Sequence, residues 1–193
     1  MNNEFYAMIS RMKYIDRWAL MRNTESESLM QHSYEAAVVA HALAVIGNKR
    51  FNMGLDADRA AVVGMFHDAP EILTGDMPTP VKYYNPIIRD AYKDIEKDAV
   101  NELICMLPED LRDEYEEVFE TNVDDPELLK IVKAADKICA LIKCIEEEKA
   151  GNTEFRKAKE ATEAAIHAMD CPAAEVFLSE FIPQFSLTLD QLR

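Results

Sequence analysis

The sequence is poor in basic residues and has no long apolar run. Its 193 residues include 21 lysines and arginines against 36 aspartates and glutamates, a formal charge of −15. Such a balance argues against binding along a nucleic-acid backbone, although a local arginine or a metal ion can still hold a small anion. No segment approaches membrane-spanning length, and the N-terminal stretch MNNEFYAMISRMKY lacks the apolar centre of a signal peptide. We therefore expect a soluble, cytoplasmic protein that binds neither nucleic-acid polymers nor membranes.

Paired cysteines are also lacking. None of the four cysteines belongs to a CxxC pair, and two of them lie in an apolar helical run. This usage is typical of reduced thiols buried in the core of a protein from a reducing compartment. The four are Cys105, Cys139, Cys144 and Cys171.

Glycine is scarce, and no segment alternates apolar and polar residues as a half-buried strand does. The chain contains only 5 glycines, whereas alanine, glutamate, leucine, lysine and methionine, which favour helices, are abundant. With 49% hydrophobic residues the chain can form a sizeable core. We predict an all-α protein of about six to eight helices, in which residues 1–193 form one domain.

Capping residues and turn residues delimit these helices. Asp56, Asn85 and Asp125 are expected to cap three of them, and Gly47 and Gly151 to end two. The turn-forming residues from Thr74 to Pro80 cannot continue a helix. The predicted helices cover residues 5–15, 26–47, 57–68, 86–107, 108–120, 126–150, 153–169 and 172–183.

Three polar positions interrupt the apolar pattern: His32, the pair His67-Asp68, and Asp136. A single histidine on an apolar face is more often a satisfied core residue than a ligand, and a pair at a helix end can be incidental. A buried, unpaired carboxylate is costly, however, and it is tolerated when it binds a cation or joins a hydrogen-bond network. Two histidines and two aspartates together suit a divalent ion that keeps open positions for water and substrate.

The order H…HD…D on helices resembles the signature of the HD-domain metal-dependent phosphohydrolases. The segments around these residues make the resemblance more specific, because they are similar to those of the bacterial 5′-deoxynucleotidases of the YfbR type. These segments are RWALMRN, HSYEAAVVAHALA, FHDAPEILTGDMPTPVKYYN and VKAADKICALIKCIEEEKAGN. The resemblance extends from about Phe5 to Leu192. It implies an HD-domain helical bundle and, in this family, a homodimer.

The resemblance also implies one divalent metal ion, bound by His32, His67, Asp68 and Asp136. Family members favour cobalt in assays, and manganese or copper also serves. The catalytic carboxylate of the family falls on Glu71, which would orient or deprotonate the attacking water. Without the resemblance, Glu71 would be interpreted as a solvated residue at a helix end. Whether it lies one turn beyond Asp68 depends on whether the helix continues through Pro70.

The substrate-binding residues are likewise implied by the resemblance. The arginine that orients the phosphate falls on Arg17, and Trp18 would line the nucleotide pocket; considered alone, they could be a surface residue and a core anchor. Asp76 would accept a hydrogen bond from a deoxyribose hydroxyl. The nearby Lys82 adds positive charge, and we assign it no role. The full substrate-contacting set is Arg17, Trp18, His32, Asp68, Asp76, Met77, Pro78, Thr79 and Asp136.

The implied reaction is the hydrolysis of a 2′-deoxyribonucleoside 5′-monophosphate to the deoxynucleoside and phosphate, with little discrimination among bases. Two alternatives remain open. The letters of the metal site fit another HD enzyme equally well, such as a nucleoside triphosphate hydrolase or a broad phosphatase, although Arg17-Trp18 and the TGDMPTP loop argue against it. The chain could also be a helical interaction module whose metal site is vestigial or structural.

Overall fold

A computed structural model describes residues 3–82, 84–119 and 123–193, and within them it confirms the predicted all-α class. Six helices have nine residues or more, and four have four or five. Short 3₁₀ helices cover Ser10–Tyr14, Glu109–Leu111, Thr153–Phe155 and Ile182–Ser186. The α-helices are α1 (Phe5–Ile9), α2 (Leu29–Phe51), α3 (Ala57–Phe66), α4 (Glu71–Thr74), α5 (Thr79–Lys82), α6 (Pro86–Cys105), α7 (Arg112–Glu116), α8 (Pro126–Lys149), α9 (Arg156–His167) and α10 (Pro172–Glu180).

The three predicted capping residues are confirmed. The side chains of Asp56, Asn85 and Asp125 each accept a hydrogen bond from the backbone N–H three residues further on, at 2.9, 2.8 and 3.0 Å. Gly151 follows α8 with a positive φ of 87°, as expected of a residue that ends a helix. Local polar chemistry therefore determines where α3, α6 and α8 begin and where α8 ends.

The prediction that Gly47 ends the second helix is wrong. Helix α2 continues to Phe51, and Asn52 adopts the left-handed conformation at φ 54° in the place of a terminal glycine. Gly47 is buried, and a Cβ atom there would lie 2.7 Å from the Met53 sulfur, so its small size admits this methionine against the helix. Its role is packing rather than helix termination.

Other boundaries also differ from the prediction. The predicted helices 5–15, 108–120 and 153–169 each combine a 3₁₀ segment with an α-helix. A one-turn helix, α5, starts inside the turn-forming stretch at Thr79, because Pro80 is tolerated in a first turn. The acidic helix ends at Glu116, and Glu120, its predicted end, lies outside the described residues. Cys105 is exposed at the end of α6, so only three cysteines are core thiols.

Helices α2 and α8 form the centre of the larger core. They pack against each other and against α3, α9 and α10, and the buried side chains at their contacts are mostly alanine, valine, leucine and isoleucine. Ala36, Ala40 and Ala44 follow one face of α2, where their small side chains allow close helix packing. The stiffness of this central pair makes it a good support for a functional site.

A smaller core lies beside the first and contains more aromatic side chains. Phe5 packs edge-on against Tyr115 at 4.8 Å between ring centroids, and Phe66 contacts Phe119 at 6.1 Å. Leu29 and Ala69 also belong to this core, whereas Ala36 and Val63 belong to the larger one. The backbone near the start of α2 and the end of α3 therefore runs between the two cores. No helix among the described residues has the length and apolarity needed to span a membrane.

Candidate metal centre

The structure brings the four predicted ligands together from three helices. His32 lies in the first turn of α2, His67 and Asp68 follow the last residue of α3, and Asp136 lies midway along α8. One ligand atom from each residue can be chosen so that all four lie within 4.8 Å of one another. We call these four residues the metal cluster. It is located where the two cores meet, at the ends of α2 and α3.

Local hydrogen bonds position the His32 backbone and the His67 ring. Ser28 and Gln31 form a reciprocal capping box that fixes the start of α2, and His32 follows one residue later. The His67 ring places Nδ1 2.7 Å from the carbonyl oxygen of Gly64. Because a carbonyl only accepts, Nδ1 donates in this bond and Nε2 keeps its lone pair. This is the tautomer that a metal-binding histidine requires.

The unpartnered atoms of the cluster fit a bound cation. His32 is fully buried, and neither of its ring nitrogens makes a hydrogen bond; the Nε2 atom of His67 makes none either. His32 Nε2 lies 3.2 Å from Asp136 Oδ1 and 3.4 Å from Asp68 Oδ2, and His67 Nε2 lies 3.2 Å from Asp68 Oδ2. Buried polar atoms without partners are rare, and two nitrogens beside two carboxylates match the donor preferences of a divalent transition ion.

The electrostatics of the cluster also favour positive charge. Burial raises the pKa of Asp68, but the nearby charges of His67 and His32 outweigh it and hold that pKa well below its usual range. Burial likewise opposes ionisation of Asp136, but His32 and Lys137 lower its pKa. Burial disfavours the charged form of His67, yet Asp68 raises the pKa of its imidazole to about 10. The two carboxylates thus favour positive charge between them, which a bound metal ion would supply in place of the imidazole protons.

Glu71 lies beside the cluster, at the start of α4. Helix α3 does not continue through Pro70: it ends at Phe66, the chain makes tight turns, and a new helical turn begins at Glu71, whose N–H donates to Asp68 O at 3.0 Å. The side chain is buried, and its Oε2 atom makes no hydrogen bond. Burial, with the nearby charges of Asp68 and Asp76, raises the pKa of Glu71 to about 9. A buried carboxyl with an unused oxygen is not the solvated helix-end residue of the alternative interpretation.

Arg17 also lies beside the cluster. Its guanidinium donates from Nη1 to Glu27 Oε2 at 3.0 Å, while Nη2 lies 3.8 Å from Asp136 Oδ1. The side chain is 11% exposed, so Arg17 is not the surface residue considered as an alternative. Glu27 holds one edge of the guanidinium and leaves the other edge facing the metal cluster.

Trp18 and Asp76 are joined next to Arg17. The backbone N–H of Trp18 donates to Asp76 Oδ2 at 3.2 Å, and its indole Nε1–H donates to Glu27 Oε2 at 3.0 Å. Trp18 has a φ of 60°, a strained conformation for a bulky residue, and its ring packs 5.3 Å from that of Phe155. Met77 and Pro78 follow Asp76 as half-buried residues and Thr79 is exposed; among the described residues no hydrogen bond joins these three to the metal cluster.

The loop that carries Arg17 and Trp18 is attached to the end of α8. Glu147 is 2% exposed, and both of its carboxylate oxygens accept from the backbone N–H of Thr24, at 2.9 and 3.1 Å. Lys143 Nζ donates to Glu147 at 2.5 Å and to the Glu25 carbonyl at 2.6 Å. Asn152 donates to the same carboxylate at 2.8 Å and to the Arg22 carbonyl at 2.7 Å. These bonds hold residues 17–27 over the site.

Sequence reasoning missed Glu27, Lys143 and Glu147. Glu27 looks like an ordinary acidic residue before a helix, and the pair at 143 and 147 looks like any i, i+4 ion pair on a helix surface. The signal that distinguishes them is their burial, which depends on how distant segments pack. The one indication in the sequence is that Lys143 interrupts the otherwise apolar run from Ile138 to Ile145.

Known proteins resemble the chain in both sequence and fold. A family model described as "5′-deoxynucleotidase YfbR-like" matches residues 4–185. A 5′-deoxynucleotidase from Vibrio cholerae is 47% identical over 190 residues, which are 98% of each chain.

Two solved structures agree with the predicted HD-domain bundle. An HD-domain phosphohydrolase from Listeria innocua has a TM-score of 0.81 at 21% identity, covering 94% of this chain and 88% of that one. The cyanophage S-2L HD phosphohydrolase DatZ, bound to dA and one catalytic Zn²⁺ ion, has a TM-score of 0.69 at 16% identity, covering 94% and 96%. At these identities the likeness shows the fold alone, and it confirms the HD-domain architecture.

Proposed function

Because the chain belongs to the YfbR-like 5′-deoxynucleotidase family, we propose that it hydrolyses 2′-deoxyribonucleoside 5′-monophosphates to the deoxynucleoside and phosphate. The observation that carries this proposal is the metal cluster, which has a buried carboxyl, Glu71, and a largely buried guanidinium, Arg17, beside it. Such an arrangement suits attack by water on a phosphate ester, whose charge needs compensation.

We assign the four ligand roles to His32, His67, Asp68 and Asp136. A divalent ion held there lowers the pKa of a bound water and polarises a phosphate oxygen. Cobalt is our first expectation in assays, with manganese or copper as substitutes. The neighbour DatZ carries a catalytic Zn²⁺, which supports a transition ion over magnesium.

Glu71 would orient the attacking water and accept its proton. Its Oε2 atom has no partner, so it is available for a water molecule. Positive charge in the cluster would offset the repulsion by Asp68, which is among the causes that raise the pKa of Glu71, and would therefore favour the carboxylate that a base requires.

Arg17 would bind the phosphate of the substrate, and Asp76 would bind its sugar. Arg17 would bind the phosphate through the guanidinium edge that faces the cluster, with Glu27 fixing the other edge. Asp76 would accept a hydrogen bond from a deoxyribose hydroxyl, and Trp18 would pack against the nucleoside. Met77, Pro78 and Thr79 would complete the rim, and His32, Asp68 and Asp136 would contact the phosphate.

The test is a substrate panel combined with two variants. Deoxy- and ribonucleoside monophosphates and triphosphates are assayed with cobalt, manganese, copper and magnesium; faster turnover of triphosphates would refute the assignment. Asp68→Ala is expected to lose both bound metal and turnover, whereas Glu71→Ala keeps the metal and loses turnover. Metal content is measured by elemental analysis. Full activity of Glu71→Ala would show that it is not the base.

We further propose that residues 1–193 act as one HD-domain unit in a cytoplasmic homodimer, the cytoplasm being where deoxynucleotide pools are metabolised. An exposed apolar patch on α2 and α3 supports the dimer: Tyr34, Val38 and Val45 are 67%, 52% and 37% exposed, and Val62 and Met65 are 39% and 46% exposed. Val38→Glu is expected to give a monomer in sedimentation experiments, and an unchanged dimer would exclude this face.

A further inference from the structure

A cavity of about 600 Å³ opens beside the metal cluster. His67, Asp68, Glu71 and Asp136 line its inner end, and α6 and α8 supply its walls. The lining does not include Arg17, which would orient the phosphate, or Trp18 and Asp76, which would bind the nucleoside. Glu71 and the two cluster carboxylates thus connect the proposed site of phosphate hydrolysis to this cavity.

The cavity has an unusual charge for this chain. Although acidic residues outnumber basic ones by 36 to 21 overall, six lining residues are basic and four are acidic. Of the four acidic residues, Asp68 and Asp136 belong to the metal cluster, and Glu96 is paired with Lys82. Two of the basic residues also have acidic partners, because Lys137 bonds to Asp136 and Arg89 bonds to Asp90. The six basic residues are Lys82, Arg89, Lys93, Lys97, Lys133 and Lys137.

Two helices present these cations as rows. On α6, Arg89, Lys93 and Lys97 are spaced by four residues and so share one helix face; on α8, Lys133 and Lys137 have the same spacing. A row of lysines on one helix is commonly a solvated surface. Here both rows line the same cavity, and a concave site lined by one sign of charge concentrates ions of the other sign.

Lys82 extends this positive charge to the inner part of the cavity. Its ammonium bonds to Glu96 at 2.7 Å and lies 4.8 Å from the centre of the Tyr92 ring, and the side chain is 24% exposed. Its pKa is raised: burial opposes the charge, but the hydrogen bond to Glu96 outweighs it. These contacts therefore fix the ammonium of Lys82 near Glu71, unlike that of an exposed surface lysine.

We propose that these cationic rows bind the inorganic phosphate released at the metal cluster and that this product leaves through the cavity. This inference rests on the proposed function. In the reaction, a water oxygen bonds to phosphorus while Glu71 accepts a proton from that water. The bond from phosphorus to the nucleoside O5′ breaks, and O5′ takes up a proton in exchange for the one that the water lost. An in-line displacement puts the entering oxygen opposite the leaving one. With Glu71 on the cavity side, the phosphate moves toward the lysines while the deoxynucleoside remains near Trp18 and Asp76.

The test measures phosphate binding in a charge-reversed cavity. Lys93 and Lys97 are exposed, so Lys93→Glu combined with Lys97→Glu leaves the core intact. The matched control reverses two exposed lysines elsewhere, Lys49→Glu with Lys157→Glu, and carries the same net charge. Calorimetric titration of the cobalt-loaded proteins with inorganic phosphate is expected to show about tenfold weaker binding for the cavity variant and wild-type binding for the control.

Kinetics provide the second measurement. The inhibition constant of phosphate is expected to rise by about tenfold in the cavity variant, and by more than the KM of the deoxynucleotide does. Phosphate binding that matches the control would overturn the proposal. Parallel rises in both constants would overturn it too, because the lysines would then be binding the incoming substrate.

A third measurement distinguishes inorganic phosphate from the phosphate groups of a nucleotide as the anion that the lysines bind. If a deoxynucleoside triphosphate binds in a lysine-dependent manner while inorganic phosphate does not, the cavity is an effector site and the product assignment is wrong. The calorimetric measurement needs no turnover, so absence of monophosphatase activity in the wild-type protein would refute the proposed function without being mistaken for a result about the cavity.

Discussion

Glu147 is buried where α8 meets the loop of residues 17–27, and replacing it by glutamine tests how that loop is held. The substitution keeps the shape of the side chain but leaves the Lys143 ammonium, which is 6% exposed, without its counter-charge. Burial raises the pKa of Glu147, but hydrogen bonds from Lys143, Asn152 and Thr24 outweigh it and lower the pKa from 4.5 to about 2. The folded protein therefore binds the carboxylate form more strongly than the unfolded chain does.

The size of the effect follows from this shift. A difference of about 2.5 pKa units corresponds to roughly 3 kcal/mol of folding free energy. The glutamine amide oxygen can still accept a hydrogen bond from Thr24, so the expected loss is about 2 kcal/mol. A depressed carboxyl pKa stabilises the protein fully above pH 4.5, and this contribution is lost as the pH falls toward 2. We expect Glu147→Gln to unfold at lower urea concentration at pH 7 and to approach the wild-type midpoint at pH 3.

The matched control is the neighbouring residue, Glu148. Its carboxylate is 43% exposed and pairs with Lys159 at the surface, so Glu148→Gln should leave the urea midpoint almost unchanged. Unfolding is followed by far-ultraviolet circular dichroism at both pH values. Equal midpoints for Glu147→Gln and Glu148→Gln at pH 7, or a difference that persists undiminished at pH 3, would refute the electrostatic reasoning.

Two further predictions concern the supports of the site. A Cβ atom at Gly64 would lie 3.1 Å from the Ala36 carbonyl oxygen, so Gly64→Ala should cost about 1–3 kcal/mol and weaken metal binding by displacing the carbonyl that orients His67. At Gly47 the only close contact of an added Cβ would be with the end of the flexible Met53 side chain, the contact with Leu55 being an ordinary 3.5 Å, so Gly47→Ala should be tolerated. Thermal melts with and without cobalt compare the two variants, and similar melts would contradict the close-contact argument. Glu27→Ala should lower kcat/KM by at least about tenfold, and Glu27→Gln by less because an amide oxygen still accepts; wild-type kinetics for the alanine variant would exclude a positioning role.

The parts of the fold that depend on neighbouring residues were predictable from the sequence. Asp56, Asn85 and Asp125 cap their helices because each bond joins residues three apart. Gly47 was misinterpreted because the sequence does not distinguish a glycine that ends a helix from a glycine that makes room for a neighbouring side chain. The distinction requires knowledge of where Met53 packs.

The candidate site shows the same division. The four residues that come together in it were predicted as metal ligands because helix periodicity puts His32 and Asp136 on or beside apolar faces and a resemblance supplied the order. The support of Arg17 was not predicted, because Glu27 becomes a partner only when the loop closes and brings its ends together. Charges that become buried through long-range packing have no local pattern, and Glu147 is the clearest case.

Trp18 is the only tryptophan in the chain, and it lies on the loop that Glu147 attaches to α8 rather than in either core. Its indole contacts a carboxylate and the ring of Phe155, and both contacts are lost when the loop detaches. The protein therefore has a built-in fluorophore that reports one segment, while circular dichroism reports the helices. A fluorescence midpoint at lower urea than the dichroism midpoint would measure how far this loop opens as a separate unit before the bundle unfolds.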